Sequence, residues 1–115
     1  MLSRNHRFRG RRAIGEVHRR GLGSRGRLFG VKVLPNPRNS TFRVAIVVSK
    51  KVSKSAVTRN RIRRRLFACF GQEPFSKIGP FDIVVNVFDV EILKDSPDGL
   101  ADKLQKQLSV AGVFK

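Results

Sequence analysis

The chain predicts a small α+β sandwich in the order helix, β-hairpin, basic helix, strand and helix. Three observations lead there. Apolar residues alternate over Thr41 to Ser49 and run almost unbroken over Phe81 to Phe88, at strand length. Apolar residues recur at helical spacing over three other stretches, each with a plausible start or stop signal. A chain of 115 residues, 40% of them hydrophobic, can bury one modest core and is too short for two. Residues 1–115 are therefore expected to form one domain, its sheet and helices packed as two layers.

Residues 1–12 read as a basic, flexible arm carrying Arg4, Arg7, Arg9, Arg11 and Arg12. A mitochondrial presequence has a similar composition, but the basic pattern continues past this point without a break. Ala13 to Arg20 suits a short helix with Ile14, Val17 and His18 on one side and Gly21 as its stop. Residues 21–27, with three glycines, predict a flexible basic loop. Leu28 to Leu34 reads as a strand, closed by the Pro- and Asn-rich turn 35–40. In the next strand, Phe42, Val44, Ile46 and Val48 share one face, and Arg43, Ala45 and Val47 the other. Because that second face also turns apolar, the strand is expected to be central and to pair with its predecessor as an antiparallel hairpin.

The basic helix is predicted from Ser55 to Phe70. At 100° per residue, Thr58, Ile62, Leu66, Cys69 and Phe70 form its apolar side. Asn60 and Arg64 lie opposite, flanked by Arg61 and Arg63, while Arg59 and Arg65 border the apolar stripe and Phe67 falls on the basic side. Phe81 to Phe88 predicts a strand covered on both faces. The last helix starts near Ser96 or Pro97, buries Leu100, Leu104, Leu108 and Ala111, and ends before Gly112.

The distribution of charge points to a partner. Residues 1–65 hold 20 basic residues and one acid, Glu16, for a net +19; residues 66–115 hold 5 basic and 7 acidic, for a net −2. Concentrating one sign costs self-repulsion, and a polyanion offsets it. Arginine outnumbers lysine 16 to 9, and its planar fork matches phosphate oxygens and base edges. Nucleic acid fits better than an anionic membrane face, since no long helix pairs a basic face with a broad apolar one. No apolar run approaches the roughly 18 residues of a membrane span. Cys69 is the only cysteine, which excludes an intramolecular disulfide and a Cys-rich zinc site and fits the reducing cytoplasm.

Catalytic machinery is missing from this pattern. A metal-dependent nuclease needs a carboxylate cluster, and the basic half offers only Glu16. His6 and His18 show no spacing suited to acid–base work, and no phosphate-binding glycine loop is present. No metal or cofactor is expected on the protein itself. The strongest local signal runs from Val48 through Ser49-Lys50-Lys51 and Lys54 into Arg59-Asn60-Arg61-Ile62-Arg63-Arg64-Arg65. Like charges at i,i+4, such as Arg59/Arg63 and Arg61/Arg65, destabilise a helix by a few tenths of a kcal/mol per pair. A solvated charged face offers nothing in return; a nucleic-acid face does.

That segment resembles the signature of the bacterial ribonuclease P protein family: a strand ending Val-Ser-Lys-Lys, a short loop, then Arg-Asn-Arg-Ile and further basic residues. Leu2-Ser3-Arg4-Asn5-His6-Arg7-Phe8-Arg9 resembles the family's opening, Gly21 falls where a glycine follows its first helix, and Phe81-Asp82-Ile83-Val84-Val85 resembles its later strand. The likeness covers essentially the whole chain. It implies a βαβ crossover through the arginine helix, left-handed in that family although right-handed crossovers are the rule. It implies a catalytic RNA subunit that holds Mg²⁺ and cleaves precursor tRNA; no obligate protein partner is inferred, and composition argues against a membrane.

By the same resemblance, Lys50, Lys51, Lys54, Arg59, Asn60, Arg61, Arg63, Arg64 and Phe67 would meet the catalytic RNA, with the arm as an auxiliary basic contact. Ile14, His18, Lys32, Ser49, Lys50 and Asn86 would line a cleft for the precursor's 5′ leader. The chain departs from the family at Ile14, His18 and Lys32, where aromatics are common, and it has no Tyr or Trp. Stacking contributes about 1–3 kcal/mol per base, so this cleft is expected to hold its leader more by charge. A ribosomal or other structural RNA-binding protein would share the composition and the fold class, but not the Ser-Lys-Lys to Arg-Asn-Arg arrangement. A DNA-binding helix protein would want a compact helix–turn–helix unit.

Overall fold

A computed structural model describes residues 6–7 and 10–114, with the side chain of residue 11 left aside. Its elements are α1 (Arg11–Arg20), β1 (Leu22–Arg25), β2 (Phe29–Pro35), β3 (Arg43–Val47), α2 (Ala56–Phe70), β4 (Phe81–Val87) and α3 (Pro97–Val110), with 3₁₀ turns at Phe75–Lys77 and Val90–Lys94. The class is α+β, with one four-stranded sheet in the order β1-β2-β4-β3.

The strand order corrects two expectations. β2 and β3 do not form a hairpin, because β4 lies between them, antiparallel to β2 and parallel to β3. The reason is visible in the loop after β2. Pro35 and Pro37 disfavour a tight turn back into a ladder. Asn36 instead donates its backbone N–H to Pro80 O at 2.7 Å and its side-chain amide to Asp82 Oδ2 at 2.9 Å, tying the loop to the start of β4. β4 takes the centre because Ile83, Val85 and Val87 on one face and Val84 on the other are all buried. β3 is consequently an edge, touched on its outer side only by a parallel bridge from Arg7 to Val44 among the described residues.

The hairpin is instead β1–β2, with Leu22 opposite Val33 and Arg25 opposite Gly30. Part of the segment expected as a loop is therefore an edge strand; Gly23 within it, Gly21 and Gly26 beside it and the lack of apolar alternation hide it. Parallel β3 and β4 are joined through α2, as the βαβ expectation required.

The main core lies between one sheet face and the helices α2 and α3. Ile62, Leu66 and Phe70 of α2 and Leu100, Leu104 and Leu108 of α3 are at most 1% exposed. Burying each such side chain contributes about 1.5–3 kcal/mol. Ser55 caps α2 by accepting from Thr58 N at 3.3 Å, and Ser96 caps α3 ahead of Pro97. Helix α1 lies on the other sheet face, where Val17 packs against Ala45 and Val84, flanked by Ile14, Leu34 and Val47. The two-layer sandwich thus carries a third element on its back, which covers only part of the sheet. α1 begins at Arg11, so the end of the expected arm is helical.

Candidate nucleic-acid interface

α2 is positioned by what it buries and by three arginines that brace it. Arg59 Nη1 donates to Ser53 O at 2.9 Å, clamping the loop that precedes the helix. Arg65 Nη1 donates to Asp95 O at 2.8 Å, holding the entry to α3. Arg63 donates to Asn60 Oδ1 at 2.9 Å and to Val48 O at 3.4 Å. Arg61 and Arg64 are exposed and carry no ion pair or hydrogen bond among the described residues. The outward surface of α2 therefore presents Asn60, Arg61 and Arg64, with Arg63 half-buried beside them, as the helical periodicity predicted.

Electrostatics adds to this surface. The first turn of α2 contains no acid, so its N-terminal partial positive charge is uncompensated by a carboxylate. Lys50, Lys51 and Lys54 are exposed on the loop leading into that turn. Phe67 is half-buried against the rim of the core, with Arg7 Cζ 5.8 Å from its ring centroid. His6, next to Arg7, stacks on Phe42 at 4.3 Å. Of the other arm residues, Arg12 is exposed in the first turn of α1, while Arg4, Arg9 and the Arg11 side chain lie outside the described residues.

On the opposite sheet face, the strand register gathers most of the residues expected in the cleft. Lys32 faces Val84 and Asn86 faces Gly30 across β2–β4; Val47 faces Asn86 across β3–β4. Ser49 follows Val47 by two residues, which keeps the face, and both Ser49 and Lys50 are exposed. α1 borders this surface with half-buried Ile14 and exposed His18. The Lys32 ammonium lies 3.4 Å from His18 O, near the C-terminal carbonyls of α1, where a cation is favoured. Its charge is thus partly turned toward α1.

Two residues of this face had escaped the sequence pattern. Phe88 continues the line of Val84 and Asn86 and is exposed, and Arg25 Cζ lies 4.4 Å from its ring centroid. The signal was the period-2 alternation itself, masked because Phe88 ends a run that is apolar on both faces.

The few acids are occupied elsewhere. Asp82, 8% exposed, accepts both fork nitrogens of Arg43 at 2.9 Å as well as the Asn36 amide, and that hydrogen-bonded carboxylate raises the Arg43 pKa. Glu16 pairs with Arg20 at 2.7 Å and Arg19 at 3.5 Å, and the Arg20 hydrogen bond lowers its pKa. Among the described residues no three His, Cys, Asp or Glu side chains converge. Burial raises the Cys69 pKa, and its thiol donates to Arg65 O at 3.4 Å. No helix among the described residues is long and apolar enough to cross a membrane.

Comparison with known proteins agrees with this geometry. A family model described as Ribonuclease P matches residues 2–112. A ribonuclease P protein component from a Pseudanabaena species is 39% identical over 114 residues, spanning 99% of this chain and 97% of the relative. Among solved structures, the Staphylococcus aureus RNase P protein superposes with a TM-score of 0.81 at 27% identity, over 96% of this chain and 98% of that one. The Thermotoga maritima RNase P protein gives 0.76 at 25% identity, over 95% and 97%. With its motifs, its sheet order and nearly its whole length accounted for together, the chain belongs to the ribonuclease P protein family.

Proposed function

We propose that this chain is the non-catalytic protein subunit of ribonuclease P, acting in the cytoplasm on the 5′ ends of precursor tRNAs. Residues 1–115 serve as one RNA-binding unit. The outward surface of α2 and the lysines before it bind the catalytic RNA, with the N-terminal arm as an auxiliary contact. The partly covered face beside α1 takes the 5′ leader. The RNA subunit holds the Mg²⁺ and performs the hydrolysis, while the protein supplies cations that replace part of the counterion screening.

One observation carries this reading. Arg61 and Arg64 stand free on a helix whose other arginines brace the fold, with no converging acid or histidine cluster among the described residues. Such a surface binds phosphates and has no groups to cleave them. The test is to add the purified protein to its own ribonuclease P RNA at low magnesium and follow 5′ processing of a precursor tRNA. Processing should appear with both components and not with rigorously RNA-free protein. Site-specific cleavage by the protein alone would overturn the division of labour.

A further inference from the structure

Phe88 occupies an unusual place for a large apolar side chain. It is 38% exposed at the end of β4, and its backbone N–H donates to Leu28 O at 2.8 Å, which fixes the chain there. Its ring rests over Gly30, where a Cβ would lie only 3.3 Å from Phe88 Cε2 and Cζ. A side chain at position 30 would crowd both the ring and Ser24 O, at 3.2 Å, so the glycine lets the ring sit close. The Arg25 guanidinium covers the ring at 4.4 Å and has no carboxylate partner among the described residues. The neighbouring acids Asp89 and Glu91 are held by Arg27, at 3.8 and 3.2 Å. An exposed cation–π contact contributes only about 0.5–1 kcal/mol, which is little reason to keep a phenyl ring out of the core.

We propose that Phe88, with Arg25 over it, is a stacking platform for an unpaired base of the 5′ leader at the end of the cleft away from α1. This deepens the reading of the open sheet face as the leader site and rests on it. Phe88 lies four residue steps from Val84, the partner of Lys32, about 13 Å at the usual rise, so more than one nucleotide fits between them. A base can extend the stack from the outer face of the guanidinium that the ring supports, while the Arg25 charge meets a leader phosphate. The cleft aromatic missing at Ile14, His18 and Lys32 is thereby supplied by the residue that follows β4. Stacking on a π-face is tolerant of base identity, so the platform favours leader length over leader sequence.

The experiment uses holoenzyme assembled with the cognate ribonuclease P RNA and precursors of graded leader length, with mature tRNA as the leaderless control. Phe88→Leu keeps the bulk over Gly30 and removes the ring. It should weaken binding once the leader is long enough to reach the platform, by roughly 5- to 150-fold, the range covered by loss of one aromatic–base stack. Phe88→Tyr should restore the affinity. Equal weakening for mature tRNA, weakened assembly with the catalytic RNA, or no change at any leader length would each overturn the proposal. If the wild-type holoenzyme gains no affinity from a leader, the cleft reading itself fails, and the platform falls with it.

Discussion

The five arginines of α2 have two different occupations. Arg59 and Arg65 each spend a strong hydrogen bond on a backbone carbonyl, whereas Arg61 and Arg64 have only solvent to face. Arg61→Ala with Arg64→Ala should leave stability within about 0.5 kcal/mol while reducing the salt slope of RNA binding by roughly 0.7–0.9 per residue. Arg65→Ala should do the reverse: urea unfolding should show a loss of about 0.5–1.5 kcal/mol with a nearly unchanged salt slope. Equal slopes for the two variants would mean that the helix presents another face to the RNA. Ile62→Asp, at a fully buried position, should unfold the domain by placing an unpaired charge in the core. Cys69 offers a further check, because its buried thiol has a raised pKa and little thiolate near neutrality. Alkylation should be slow in the native protein and accelerate in denaturant; rapid native labelling would show that the α2 packing opens readily.

Gly21 links α1 to β1, and its role is larger than ending a helix. A Cβ there would sit 2.5 Å from Val17 O and 2.7 Å from Val33 O, both backbone atoms that cannot swing aside. Gly21→Ala should therefore displace α1 from the sheet, at a cost on the order of 1–3 kcal/mol, and weaken leader binding along with stability. If thermal unfolding of that variant matches wild type, the close approach is not maintained in solution. The junction also shows why the elements were unequally legible. α2 and α3 were readable because each carries an apolar stripe bounded by a cap or glycine, and β4 because it is a nearly unbroken apolar run. β1 was hidden by the glycines in and beside it, and the strand order by a decision made far away in sequence, where Asn36 and Arg43 meet Asp82. Local periodicity specifies which residues are extended; it does not specify which neighbour they choose. In the site, the arginine surface was legible from helical geometry, and Phe88 was not, because it ends a nearly continuous apolar run that reads as covered on both faces. Asp82→Ala removes the carboxylate that accepts from Arg43 and Asn36 at this register and should cost about 1–3 kcal/mol.

The chain's charge asymmetry becomes a spatial division once folded. Residues 66–115, with a net −2, supply the central strand and α3, while the basic half supplies α1, the loop before α2 and the arginine helix. The sheet separates the two proposed binding surfaces: α2 packs on one face, and the line from Lys32 to Phe88 runs along the other. A packed sheet is stiff and holds both surfaces at fixed relative positions. Effects at residues far apart with no shared partner add to within about 0.3–0.5 kcal/mol. At subsaturating RNA subunit, the Arg61→Ala/Arg64→Ala pair combined with Phe88→Leu should therefore lower the apparent affinity for a long-leader precursor by the product of the separate fold-losses. On the proposed assignment, the arginine pair acts through assembly with the catalytic RNA, and Phe88→Leu through the leader. Titrating precursor at saturating RNA subunit should erase the first effect and retain the second. A combined loss well below that product would mean that both surfaces contact the same stretch of RNA, and the two-sided arrangement would have to give way to a single continuous interface around the edge strand β3.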